Sequence, residues 1–437
     1  MSKRESKKTY FLRAKMSSID SRLILGGALV LLVLIGAGIF LLSQPGGSTT
    51  TTPVRSPTPT ATPTAPATTP TPIITPTPGL TPTPTAAPTT PAASPTPTVL
   101  AGGREVKILA AGATFLFPQM DTWAKEFRNK YRNIIIEYSS IGSGAGQARF
   151  LEKVVDIGAT DPPLTPANLA RAKQDPRGVI QMPVVIGAVT IVYNLPMVEG
   201  KLKLDGRIIA LIYRGEIEKW NDPRIAALNP GAKLPDAPIV AVRRSDASGT
   251  TNIFTMFLFK SSEGAWERER VGVQPSWPID QVAPARARAG RGNEGVAEIV
   301  RNTLYSIGYV EYTQAQVARL AMAQVKNAAG RFMDPTPETM MAAAAGAFRF
   351  FPANPDDDFN SAWESVVFAP GENSYPITSF SFLLFYKVYP KDKAEVIKEF
   401  IRWINTEGQS VMAPGYIPIP EEIRRYNLRW IELIREG

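Results

Sequence analysis

The sequence predicts a two-lobed α/β domain carried behind one membrane-spanning helix and a disordered Thr/Pro stalk. Three observations carry that expectation. Strand-like apolar runs alternate with helical patterns from residue 106 onward, one uninterrupted apolar segment lies near the N-terminus, and a long stretch almost free of core-forming side chains separates the two.

Residues 1–22 hold seven Lys and Arg against Glu5 and Asp20, and they precede the apolar run Leu23 to Leu42. A helix needs about 20 apolar residues to cross a bilayer core, whereas the apolar part of a cleaved signal peptide typically runs about 7 to 15. Segment 23–43 is therefore read as an uncleaved anchor. Its basic flank resists translocation, so the N-terminus should be cytoplasmic and everything downstream extracellular. Residues 44–103 are mostly Thr, Pro, Ala and Ser, as in Thr81-Pro82-Thr83-Pro84. Such a segment cannot offset its ordering entropy and should be an extended stalk of up to about 3.1 Å per residue. Its threonines are candidates for O-linked sugars, while no Asn-x-Ser/Thr sequon occurs in the chain.

In the remaining part, strands are expected at Val106 to Ala110, Ile134 to Tyr138, Asp156 to Ala159, Val179 to Tyr193 and Ile239 to Arg243. Helices are expected at Pro118 to Tyr131, Gln147 to Val155 and Thr250 to Lys260. This alternation points to mainly parallel sheets, and about 330 residues of it to two lobes. Ligands in such folds bind beyond the carboxyl ends of strands.

Composition narrows the chemistry. The 437 residues include no Cys and no His, which excludes disulfides, zinc fingers, His-dependent triads and a cysteine-linked lipid anchor. Of the formal net charge of +9, the N-terminal segment holds +5 and the globular part only +3, so a nucleic-acid footprint loses its main support.

Four glycine- and hydroxyl-rich segments fall between a strand and a helix: Ala110 to Phe115, Ile141 to Gly146, Gly158 to Pro163 and Arg243 to Thr250. Glycine admits a ligand to the backbone, and free amides at helix starts with Ser/Thr hydroxyls suit an oxyanion. The fourth is the most specific, with an arginine, an aspartate able to orient it and a Ser-Gly-Thr helix start. Gly290 to Gly295 matches G-x-G-x-x-G, but the preceding Pro284 to Arg288 does not read as a strand, which argues against a dinucleotide site. No ATP-type phosphate loop is present, and Asp356-Asp357-Asp358 reads as a solvated loop rather than a metal site.

At these loops the chain resembles the substrate-binding proteins of phosphate ABC importers. The likeness continues through Val184 to Val189, Lys219-Trp220-Asn221-Asp222, Trp277-Pro278, Gly292-Asn293-Glu294-Gly295, Ile307 to Tyr312 and Tyr375 to Ser379. From about residue 390 to 437 only the helical, aromatic character matches. The resemblance implies a periplasmic-binding-protein-like fold with a ligand cleft between lobes, comprising 104–185 plus 378–437 and 186–377. Chain crossings should lie near Pro183 to Ala188 and Pro376 to Phe380.

It also implies that Thr114, Phe115, Ser143, Asp161, Arg244, Ser248, Gly249 and Thr250 hold phosphate, with Asp246 fixing the Arg244 guanidinium. No cofactor or metal is expected. A monomer would deliver its anion to membrane permease subunits, and tethering by a spanning helix and stalk suits a cell without an outer membrane, such as an archaeon.

Asp161 has a rationale of its own: phosphate near neutral pH keeps a proton to donate to a carboxylate and sulfate has none. Its alternative role as a helix cap is weakened by Thr165 before Pro166. Two departures stand out. Gly144 replaces a frequent second serine, and Ala247 replaces a frequent glycine. The stretch Arg286 to Arg291 is unlike the usual Gly-rich segment and reads as a surface loop or an anion funnel. The competing functions are an extracellular phosphatase, weakened by the lack of a general base, and an adhesin or sensor with a vestigial pocket.

Overall fold

The structure, a computed structural model, describes Val99–Gly437. The basic segment, the apolar run and the stalk as far as residue 98 lie outside it. Among the described residues no helix is long and apolar enough to cross a membrane.

Strand and helix alternate as the apolar patterning dictates. The first half runs β1 (Val106–Gly112), α1 (Phe117–Lys130), β2 (Ile134–Ser140), α2 (Ser143–Leu151), β3 (Ile157–Thr160) and α3 (Pro166–Gln174). Strand β4 (Ile180–Tyr193) leads onward to β5 (Val240–Arg244), α4 (Gly249–Ser261), β6 (Ala287–Gly290), α5 (Gly292–Asn302), β7 (Ser306–Glu311) and α6 (Tyr312–Val317). The chain then returns through β8 (Thr378–Phe385) and α7 (Lys391–Ile404). Thr165 caps α3 as its sequence predicts, accepting the Asn168 N–H at 3.2 Å.

Among the described residues nine strands form one sheet in the order β2-β1-β3-β8-β4-β7-β5-β6, with Ala321–Met322 pairing the end of β4. Parallel pairing joins β1 to β2 and β3, and β5 to β6 and β7. The expected mainly parallel sheet is corrected to a mixed one. Strand β8 re-enters from the far half and runs antiparallel to both β3 and β4, and β4 is antiparallel to β7.

Strand β4 belongs to both halves. Its residues Ile180 to Ala188 pair with β8 and Val189 to Tyr193 with β7. All of it is buried, which explains why it reads as one apolar run instead of an alternation. Pro183 has no N–H to give the ladder, and the register slips opposite it between Ser381 and Phe382, leaving Val184 without a counterpart. The freed carbonyls are satisfied from the C-terminal segment: Asn427 Nδ2 donates to Pro183 at 2.8 Å and Gln409 Nε2 to Val184 at 3.2 Å.

The C-terminal region closes the core of the first half. Phe400 and Trp403 of α7 meet Phe127 of α1 edge-on, with ring centroids 5.2 and 5.5 Å apart. The Trp123 indole donates to the Gly408 carbonyl at 2.8 Å.

Two local expectations are corrected. Helix α2 begins at Ser143, ahead of the expected Gln147, because the glycine-rich loop is itself the first turn; only the left-handed Gly142 (φ 92) stands before it. The residues before Gly290 do form a strand, β6. It lies at the sheet edge with Arg288 exposed, so it lacks the apolar signature of an interior strand.

Candidate functional site

The four glycine- and hydroxyl-rich loops follow the carboxyl ends of β1, β2, β3 and β5, and they converge from the two halves of the sheet. Gly144 N–H donates to the Ala247 carbonyl at 3.0 Å. A Cβ on Gly249 would lie 2.3 Å from both Asp161 Oδ2 and Ser143 Oγ. These contacts bring the loops of the two halves against one another, with the Asp161 carboxylate and the Ser143 hydroxyl facing the first turn of α4.

Arg244 ends β5 and is buried. Its Nε donates to Asp246 Oδ1 at 2.8 Å and its Nη2 to Oδ2 at 2.5 Å, a two-pronged bond that fixes the guanidinium plane. Nη1 remains directed at Thr250 Oγ1, 3.3 Å away. Burial works to raise the Asp246 carboxyl, but Arg244 and the Gly292 N–H, donating at 3.0 Å, outweigh it and hold the group below the usual carboxylate range. Asp246 is therefore an anion dedicated to orienting Arg244.

Ser248 is the N-cap of α4, its Oγ accepting the Thr251 N–H at 3.1 Å. Capping uses the oxygen and leaves the hydroxyl proton to donate elsewhere, so cap and ligand contact are compatible. Gly249 and Thr250 open the helix, where backbone amides lack intrahelical acceptors. Ser143 opens α2 in the same way and is buried.

Asp161 follows β3 and is 1 % exposed. Ser381 Oγ donates to its Oδ1 at 2.9 Å and Ser143 Oγ to its Oδ2 at 3.1 Å. Burial pushes the carboxyl up to about 7, against the lowering effect of both serines and Arg244. Thr114 and Phe115, after β1, are buried, and the Phe115 carbonyl accepts from the Tyr416 hydroxyl. Ser143, Asp161, Gly249, Thr250, Arg244 and Asp246 thus form one run of direct neighbours.

The two departures from the resemblance explain one another. A Cβ on Gly144 would lie 2.5 Å from the Ala247 Cβ. The methyl gained at Ala247 occupies the space that a serine at residue 144 would need.

Sequence reasoning missed Ser381 and the role of Asn293. Ser381 sits within Thr378-Ser379-Phe380-Ser381-Phe382, a wholly buried strand whose hydroxyls were the available signal. Asn293 is buried, with Nδ2 3.1 Å from Thr114 Oγ1 and 3.3 Å from Thr250 Oγ1. The glycine-rich turn around it lies between a strand and a helix, yet it serves this site, since its Gly292 N–H holds Asp246.

Elsewhere, Asp356 pairs with Lys387 at 2.7 Å, Asp357 pairs with Lys173 at 2.9 Å and Asp358 accepts the Asn360 N–H at 2.8 Å. Of the arginine-rich stretch, Arg286 donates to the Gly215 carbonyl at 3.0 Å and Arg288 to the Ala287 carbonyl at 2.8 Å. Those two side chains brace the edge strand.

A family model described as the PBP superfamily domain matches residues 64–407. The phosphate-binding protein PstS of Methanocaldococcus jannaschii is 38% identical over 339 residues, covering 75% of this chain and 86% of that protein. The phosphate-binding protein PstS of Pasteurella multocida is 39% identical over 336 residues, covering 74% and 89%. The structure of a human phosphate binding apolipoprotein shares the fold, with a TM-score of 0.58 at 20% identity, covering 73% of this chain and 93% of that one. On these likenesses the chain belongs to the phosphate-binding-protein family of the PBP superfamily.

Proposed function

We propose that this chain captures inorganic phosphate outside the cell and delivers it to an ABC importer. The observation that carries the reading is the convergence of an oriented Arg244 and a buried Asp161 with hydroxyls and helix-start amides from both halves of the sheet. Arg244 and the hydroxyls of Thr114, Ser248 and Thr250 donate to phosphate oxygens, joined by the amides of Phe115, Ser143 and Gly249. Asp161 accepts from the P–OH group. Sulfate offers no proton there and would leave two buried acceptors facing each other, at a cost of at least about 1 to 3 kcal/mol.

Capture is closure of two lobes, 104–185 with 378–437 and 186–377, about β4 and the entry to β8, with no covalent step. The family's transport role sets aside the phosphatase alternative. The apolar run 23–43 tethers a monomer to the cell membrane with its N-terminus cytoplasmic, the Thr/Pro stalk holds the binding domain outside, and permease subunits are its partners.

Titration calorimetry of the full chain with phosphate and with sulfate tests the reading. Tight phosphate binding with much weaker sulfate binding is expected. No phosphate binding, or equal affinities, would overturn it.

A further inference from the structure

Asn293 touches both sides of the proposed cage without lying in any of the loops that build it. It stands in the first turn of α5, beside β6 and β7, and is 1 % exposed. The peptide N–H of Glu311 donates to its Oδ1 at 3.2 Å. A backbone N–H can only donate, so this bond fixes which way the side-chain amide faces. The Nδ2 group must then point at Thr114 Oγ1, 3.1 Å away after β1, and at Thr250 Oγ1, 3.3 Å away at the start of α4. These threonines belong to opposite halves of the sheet, which makes Asn293 a direct bridge between them.

The bridge has a chemical consequence. A hydroxyl has one proton and two lone pairs, while an amide nitrogen and a guanidinium can only donate. Thr250 Oγ1 accepts from both Asn293 Nδ2 and Arg244 Nη1. Both its lone pairs are engaged, and its proton has to point elsewhere. Thr114 Oγ1 likewise accepts a hydrogen bond from Asn293 and keeps its own proton free.

We propose that Asn293 is a positioning residue that sets the Thr114 and Thr250 hydroxyls as donors toward the bound oxyanion and latches the two halves of the sheet through the same amide. The inference rests on the phosphate reading of the site. Asn293 needs no contact with the anion: it spares the anion the work of turning two hydroxyls, and it holds the halves together while the anion is bound. Its effect therefore belongs to the rate of release more than to the rate of capture.

The test is a double-mutant cycle in the full chain. Phosphate affinity is measured by calorimetry and release by stopped flow, with the thermal midpoint of each variant taken without phosphate. Asn293→Ala in the wild-type background should weaken binding about tenfold, within the coupling range of contacting groups, mostly through faster release. In the Thr114→Val/Thr250→Val background, where no hydroxyl remains to be set, the same change should cost less than about threefold. Asn293→Ser keeps an acceptor for the Glu311 N–H but cannot reach both threonines. It should follow Asn293→Ala, and it carries the cycle if the alanine variant does not fold.

Equal losses in both backgrounds, or a loss confined to association, would overturn the inference while leaving the phosphate reading intact. A wild-type chain that does not bind phosphate would overturn both.

Discussion

Asp161→Asn separates the cost of burying a carboxylate from its use. Burial raises the group from an ordinary value of 3.8 to about 7, so between those limits the native protein holds a proton that the unfolded chain has lost. Stability then falls as pH rises through this window and levels off above it. The shift is worth about 4 kcal/mol at pH 8, and about 2 to 3 kcal/mol of that develops between pH 5 and pH 8. Asparagine is close in shape, keeps an acceptor for one serine and offers a donor to the other, and it cannot ionise. The variant without phosphate should therefore be more stable than wild type at pH 8 by a few kcal/mol and closer to it at pH 5. Urea unfolding of the full chain at the two pH values reads this directly. The same variant should narrow the phosphate-over-sulfate ratio by about tenfold or more, since the acceptor for P–OH becomes ambiguous. Stability curves for variant and wild type that stay parallel across the pH range would refute the reasoning. So would an unchanged anion ratio.

Three further substitutions probe the cage. Arg244→Lys loses the two-pronged bond to Asp246 and should weaken phosphate binding about 100-fold or more by calorimetry, because an ammonium cannot present two donors in one plane. Gly249→Ala places a methyl 2.3 Å from Asp161 Oδ2 and Ser143 Oγ and should cost about tenfold or more in affinity; a wild-type isotherm would mean that these loops do not meet during binding. Gly144→Ser alone should lower stability by about 1 to 3 kcal/mol in urea unfolding, and adding Ala247→Gly should restore most of it.

Much of this architecture was legible in the sequence because it follows from patterning that one chain segment can carry. The apolar run of β4 marks a strand buried on both faces, and the Thr165-Pro166 pair marks the start of α3. The four anion-suited loops are local as well, each a handful of residues between a strand and a helix. What escaped notice is non-local. Ser381 reaches Asp161 only because β8 returns between β3 and β4, a placement that no spacing within the chain reveals. Asn293 acquires meaning only from threonines that are distant in sequence and belong to opposite halves of the sheet. Strand β6 was hidden because an edge strand with exposed arginine has no alternation to read, and the start of α2 because the glycines that admit the other loop also disguise a helical turn.

The pairing of Arg244 with Asp246 bears on how the protein meets changes in its surroundings. A guanidinium already neutralised by a carboxylate at 2.5 Å projects little field beyond the cleft. In the proposed site the anion would be held by this paired guanidinium and by fixed dipoles, all acting over hydrogen-bond distances, well inside the roughly 8 to 10 Å over which physiological ionic strength screens charge. Binding of this kind should change little from dilute water to physiological ionic strength, unlike a lysine-lined surface that competes with every chloride. A cell exposed to swings in salinity would keep its phosphate capture through them without any adjustment of the protein.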